Sequence, residues 1–219
     1  MARHGSRRAG RWPVQLRFAI SLTSTEYVSR QAWQEASLAR CPLHPGGGCS
    51  LARHGTYERR HPPGTQITRW YCREGHCTFS LLPDCFAARL QGTLVEVEAV
   101  VEVAEQARSR EAAADALRPD IELPGGLRWL RRRLLPVYVA LHLVKGLMAD
   151  QFHACWPTLS GFRACLGSEN LLLVLREVAA VHLHVLPPPL GLRPPPRGGE
   201  KAKKAFQHAV GPDPPGVEG

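Results

Sequence analysis

The stretch that decides the fold is Cys41-Pro42-Leu43-His44-Pro45-Gly46-Gly47-Gly48-Cys49, answered further along by Cys72-Arg73-Glu74-Gly75-His76-Cys77. Between them, His54 to Arg60 and Gln66 to Tyr71 are rich in Thr, Tyr, Ile and Trp and flank a Pro62-Pro63-Gly64-Thr65 turn. That pattern reads as a hairpin between two cysteine-bearing loops. A unit of about 45 residues cannot bury enough apolar surface to fold alone, so a tetrahedral ion that clamps two loops supplies the missing stability. The layout is that of a zinc ribbon, and soft thiolates and imidazoles suit Zn²⁺ better than hard cations.

Two knuckles need two ligands each, and six candidates are present. Cys41 and Cys72 head the knuckles and are the expected anchors. His44 stands at the familiar spacing from Cys41, while Cys49 needs a wider loop that three glycines permit. His76 and Cys77 are both within reach of Cys72, although neighbours rarely bind one ion. Four of these six residues are expected to hold a single structural zinc; the alternative is a set of reduced cysteines in a small core. The chain has seven cysteines, an odd number that argues against a purely disulfide framework and for a reducing compartment.

The run Cys41-Pro42, then Arg53-His54-Gly55-Thr56-Tyr57-Glu58-Arg59-Arg60, then Arg69-Trp70-Tyr71-Cys72 and Thr78-Phe79-Ser80 resembles the N-terminal zinc ribbons of bacterial insertion-sequence transposases. Those modules commonly read as a C-P-x-C knuckle, an H-G-x-Y-x-R strand, an R-[YFW]-x-C strand end and a terminal T-F. The resemblance covers about Cys41 to Pro83 and implies a DNA-recognition role. It departs from the family pattern at His44, where the second cysteine would stand, and at Gly75, in the place of the fourth ligand. The resemblance then requires His76 or Cys77 to complete the site.

From Thr93 the texture turns helical. Leu94, Val97, Val101 and Ala104 recur at three- and four-residue steps, and Ser109 to Leu117 reads as a second, short helix. Leu127, Leu130, Leu134, Val137, Leu141 and Val144 then recur at 3,4,3,4,3 spacing, a strong amphipathic signal. Pro136 is expected to kink or restart that helix. Arg128 and Arg132 point away from the apolar stripe, with Arg131 and Arg133 on its flanks, which suggests a helix-turn-helix whose last helix enters the major groove. Arg59 and Arg69 are expected to assist on the DNA backbone. Thr158 and Ser168 are plausible N-caps of two further helices, the second carrying Leu171, Leu175, Val178 and Ala179.

The full chain has 219 residues, 44% hydrophobic and 21% charged, with a net charge of +9. The positive charge favours polyanions in general without implying sequence specificity. No apolar run is long enough for a membrane span. Five scattered aspartates do not make the paired-metal carboxylate site of a nuclease, and phosphate-loop, dinucleotide and H-E-x-x-H signatures are missing. Cys155 and Cys165, near Phe152, Trp156 and Phe162, read as buried structural thiols.

The expectation is a mostly α, α+β protein: a basic arm over 1–40 with a short helix from Ser24 to Leu38, a zinc ribbon over 41–86, a helical domain over 93–186 with its helix-turn-helix-like part at 93–146, and a disordered Pro-rich tail over 187–219. The function expected is non-catalytic, zinc-dependent binding of double-stranded DNA in the bacterial cytoplasm, with a homodimer possible. The alternatives are a protein-interaction module that uses the Leu171 to Leu186 helix, and an inactive remnant of a mobile element. A secretion signal in the arginine-rich start is disfavoured by Arg17.

Overall fold

The computed structural model describes residues 14–193. The arginines ahead of Val14 and the lysine cluster of the tail lie outside the described residues. Within them the architecture is α+β, with a four-stranded sheet and seven α-helices. The sheet consists of β1 (Val14–Phe18), β2 (Leu51–Glu58), β3 (Gln66–Cys72) and β4 (Cys77–Pro83) in the order β1-β4-β3-β2. The expected hairpin is β2–β3, antiparallel with Glu58 opposite Gln66 and Leu51 opposite Cys72.

Strand β1 corrects the expectation of an arm up to residue 40. It pairs parallel with β4, Val14 opposite Phe79 and Phe18 opposite Pro83. Arg17 secures it with a bidentate ion pair to Asp84 at 2.8 Å. The expected helix from Ser24 to Leu38 is shorter: α1 covers Ser24–Ser29, opened by a capping box of Thr23 and Glu26, and a single 3₁₀ turn follows at Ala32–Gln34. Tyr27 of α1 is fully buried, with its ring edge-on to Phe86 and its hydroxyl donating to the Gln66 carbonyl.

The helical part is α2 (Leu94–Gln106), α3 (Arg110–Leu117), α4 (Leu123–Leu147), α5 (Ala149–Phe152), α6 (Leu159–Leu166) and α7 (Leu171–Val178). Thr93 and Ser109 cap α2 and α3 as their sequence positions suggest. The apolar stripe of α4 behaves as its periodicity requires: Leu130, Leu134, Val137, Leu141 and Val144 are all buried. The helix begins at Leu123, ahead of Pro124-Gly125-Gly126, and runs through Pro136, the site of the expected kink or restart. Proline at the first turn costs no hydrogen bond, and one interior proline is outweighed by the buried stripe on the opposite side.

Two carboxylates of α2 stand one above the other at a seven-residue interval. Glu98, buried, accepts the Leu171 and Leu172 amides at 2.9 Å and the Arg163 guanidinium at 2.9 Å. Glu105 accepts the amides of Leu159 and Ser160 at 2.8 and 3.0 Å. Each carboxylate therefore satisfies orphan N–H groups at the start of another helix. Helix α7 has Asn170 at its N-cap position, with no side-chain cap hydrogen bond, in place of the expected Ser168 cap.

Residues 187–193 also depart from expectation, because Leu190 and Leu192 are buried in the main core. Arg176, fully buried, donates to the carbonyls of Asp84, Phe86 and Pro189, and Arg89 donates to those of Leu186 and Gly191. Burial lowers the Arg176 pKa to about 10. Backbone carbonyls gathered around two arginines give this proline-rich segment the partners its own sequence cannot supply.

The sheet serves two separate cores. Ile67 and Leu82 join the large cluster built by the helices, whereas Val14, Cys72, Cys77 and Phe79 form a small cluster with Cys41. The small cluster surrounds the site described next.

Candidate metal centre

Cys41, His44, Cys49 and Cys72 converge so that their four ligand atoms all lie within 4.8 Å of one another. His44 Nδ1 is 3.5 Å from the Cys41 sulfur and 3.4 Å from the Cys72 sulfur. With metal–sulfur bonds of about 2.3 Å and metal–nitrogen bonds of about 2.0 Å, a tetrahedral site has sulfur–nitrogen edges of roughly 3.5 Å. The donor set and its spacing thus fit one four-coordinate metal ion.

Local structure explains how the chain reaches this arrangement. Cys41 begins a tight turn in which the His44 amide donates to the Cys41 carbonyl at 3.0 Å, which returns the imidazole to the sulfur. Gly47 and Gly48 then take φ values of +90° and +80°, a region open to glycine and costly for other residues. These two residues turn the loop back and deliver Cys49. Cys72 arrives as the last residue of β3, directly opposite Cys77 of β4.

The first loop therefore contributes three candidate donors and the second only one, in place of the expected two and two. His76 and Cys77 are not in the cluster. His76 sits at φ +44° with Nδ1 3.3 Å from the Tyr71 hydroxyl, and Cys77 is buried at the start of β4. Gly75 does not need to be replaced as a ligand, because its amide donates to the Cys72 sulfur at 3.2 Å. A Cβ at Gly75 would fall 2.6 Å from Leu43 Cδ1 and 3.3 Å from that sulfur, so a larger residue would have to displace the Leu43 side chain. Glu74 joins the two loops: its carboxylate accepts the Ser50 amide at 2.8 Å, and its own carboxyl is held low by backbone hydrogen bonds. The supporting roles of Glu74 and Gly75 carry no signal in ligand spacing alone.

The thiols tune one another. Burial raises the Cys41 pKa, but hydrogen bonds from His44, the Leu43 backbone, Cys72 and Cys49 outweigh it and bring the thiol down to about 7. Cys49 is pushed up to about 12, by burial and then by the Cys41 and Cys72 sulfurs. Three sulfurs this close cannot all ionise without a cation among them, and a divalent ion bound there would supply that charge.

The arginines expected to touch DNA divide into two groups. Arg59 donates to the carbonyls of Ala87, Leu90 and Gly92 and lies 5.2 Å over the Phe86 ring. Arg69 donates to the Thr56 carbonyl and approaches the Tyr57 ring. Both are half-buried and engaged with carbonyls of their own chain. Arg128, Arg131 and Arg132 are exposed on α4, and among the described residues they form no ion pair. Arg133, by contrast, stacks 4.2 Å from the Trp129 ring centroid. Helices α3 and α4 pack together across the short 118–122 connection.

Two further expectations change. Leu171, Leu172 and Leu175 are buried, so the first apolar face of α7 is occupied by the core, while Val178, Val181 and Val185 further along the segment are exposed. Cys155 and Cys165 are joined in a disulfide across ten residues, not present as thiols. No helix among the described residues is long and apolar enough to cross a membrane. Comparison with known proteins returned no matching family model, no matching curated protein and no matching solved structure.

Proposed function

We propose that this is a non-catalytic, zinc-stabilised DNA-binding protein, its ribbon segment related to the recognition part of a bacterial transposase. Zinc is the metal that three thiolates and one imidazole in a closed tetrahedron select, and a closed four-ligand set is the structural kind, with no position open to substrate. The observation that carries the DNA reading is the uncompensated cationic row Arg128, Arg131 and Arg132, exposed on a helix whose opposite side is anchored by buried Leu130 and Leu134. Such a row suits phosphate contact, with α3 and α4 in the helix-turn-helix role.

The test is fluorescence anisotropy of the zinc-loaded protein on a labelled duplex over a range of salt. Replacing Arg128 and Arg131 together by Ala is expected to weaken binding at least about fivefold and to reduce the salt slope by roughly 2. An unchanged affinity and slope in the double variant would overturn the reading.

A further inference from the structure

Helix α4 carries a second feature on its outward side. Leu135, Val139, Leu143 and Leu147 recur every four residues, exposed by 54%, 40%, 40% and 43%. They continue the line on which Arg128 and Arg132 stand, so the helix presents a cationic half followed by an apolar half. Four large aliphatic side chains in one exposed row mark a contact surface.

We infer that a second copy of this chain docks there, antiparallel, about a two-fold axis at the height of residue 141. That axis is the midpoint of the apolar row and matches it to itself, Leu135 against Leu147 and Val139 against Leu143, as an isologous interface requires. The same axis carries Arg132 past the C-terminal end of the second copy's α4, beyond which Asp150 follows in α5. Asp150 is exposed just past the end of α4 and forms no ion pair among the described residues. It also places Arg132 near the negative C-terminal end of the opposite helix, where a cation is favoured. Gly146, exposed on the same line, leaves open space where a side chain would stand, so the two helices can approach closely.

The pairing deepens the DNA reading and, for the following consequence, rests on it. Arg128 and Arg131 lie towards the outer ends of the pair. At about 1.5 Å per residue, the two copies of Arg131 are about 30 Å apart and the two copies of Arg128 about 39 Å apart. These distances bracket the roughly 34 Å between half-sites one helical turn apart. The dimer then engages two successive major-groove segments on one side of a duplex.

The test is the molar mass of the full zinc-loaded chain by light scattering at about 5 to about 100 µM, with no DNA present. The expected mass is twice that of the chain. Leu143→Asp and Val139→Asp, at exposed positions, are expected to give the single-chain mass with an unchanged helical circular-dichroism spectrum. Arg132→Asp and Asp150→Arg should each weaken the dimer several-fold, and the two together should restore it. A wild-type monomer throughout that range, a Leu143→Asp protein as dimeric as wild type, or a charge exchange without recovery would each overturn the inference. Because no DNA is present, a dimer that ignores DNA removes only the proposed function, and a monomer that binds DNA removes only the pairing.

Discussion

The metal corner and the helical body achieve order by different means. Around Cys41 and Cys72 the chain has a small apolar cluster, a glycine-rich loop with two residues in the left-handed region and four donors aimed at one point. Around α2 and α4 it has a continuous aliphatic core, from Leu94 and Val101 to Leu130, Leu141 and Phe162. In the first region, a metal ion held by the four donors is expected to supply stability that the small cluster lacks. In the second, stability depends on buried area, to which each aliphatic side chain contributes about 1.5 to 3 kcal/mol. The two regions share one sheet but have separate apolar clusters, so they are expected to respond separately to perturbation.

The largest separation is expected from Cys72→Ala. Structural zinc contributes apparent binding energies of about 10 to 16 kcal/mol in small domains, and removal of one of four ligands forfeits most of that. Elemental analysis should fall from one metal per chain to none. Hydrogen exchange should accelerate over 41–51 and 70–79 while α2 and α4 keep their protection. Uniform loss of protection across both regions would show that they are one cooperative unit. Acidification from about pH 8 to about pH 5.5 should act in the same direction, since protons compete with the metal for thiolate and imidazole.

An intermediate effect in the opposite region is expected from Glu98→Ala. It leaves the Leu171 and Leu172 amides without their acceptor and part of the Arg163 guanidinium unpaired. Breaking a buried charged network of this kind costs about 3 to 5 kcal/mol. Urea denaturation should show that loss with metal stoichiometry unchanged, and a loss below about 1 kcal/mol would mean that the carboxylate is replaceable by water.

The smallest effect is expected from Gly48→Val. A β-branched residue at φ +80° costs about 1 to 2 kcal/mol, a strain carried by the loop that delivers Cys49. Competition with a chelator should show zinc affinity lowered by roughly five- to thirtyfold, with the thermal midpoint of the chelated protein unaltered.

What the sequence made legible was local. The 3,4 spacing from Leu127 to Val144 and the hairpin around Pro62-Pro63-Gly64 were readable because periodicity and turn chemistry act over a few residues. The six metal candidates were readable from residue type, and the three glycines before Cys49 pointed to the loop that the structure uses. What stayed hidden was non-local. Val14–Phe18 becomes a strand only because β4 lies beside it, far along the chain. Choosing Cys49 over His76 and Cys77 required knowing that Gly75 packs behind the Cys72 sulfur with a donated amide. Arg59 and Arg69 looked like phosphate ligands because composition cannot distinguish a free guanidinium from one engaged with carbonyls of its own chain.

The carboxylate row on α2 has a consequence for how the chain can be dismantled or reused. Helices α6 and α7 have eight residues each, too short to persist alone in water, and both start on amides that α2 holds through Glu105 and Glu98. Their helicity is therefore borrowed from elsewhere in the chain. Excised as a peptide, the segment from Thr158 to Val178 should be a random coil. Grafted into another scaffold, it should fold only where the two acids, seven residues apart on a neighbouring helix, travel with it. In that sense α2, α6 and α7 form one inheritable cassette, and insertions between α5 and α6 are tolerated only so far as they leave that docking undisturbed.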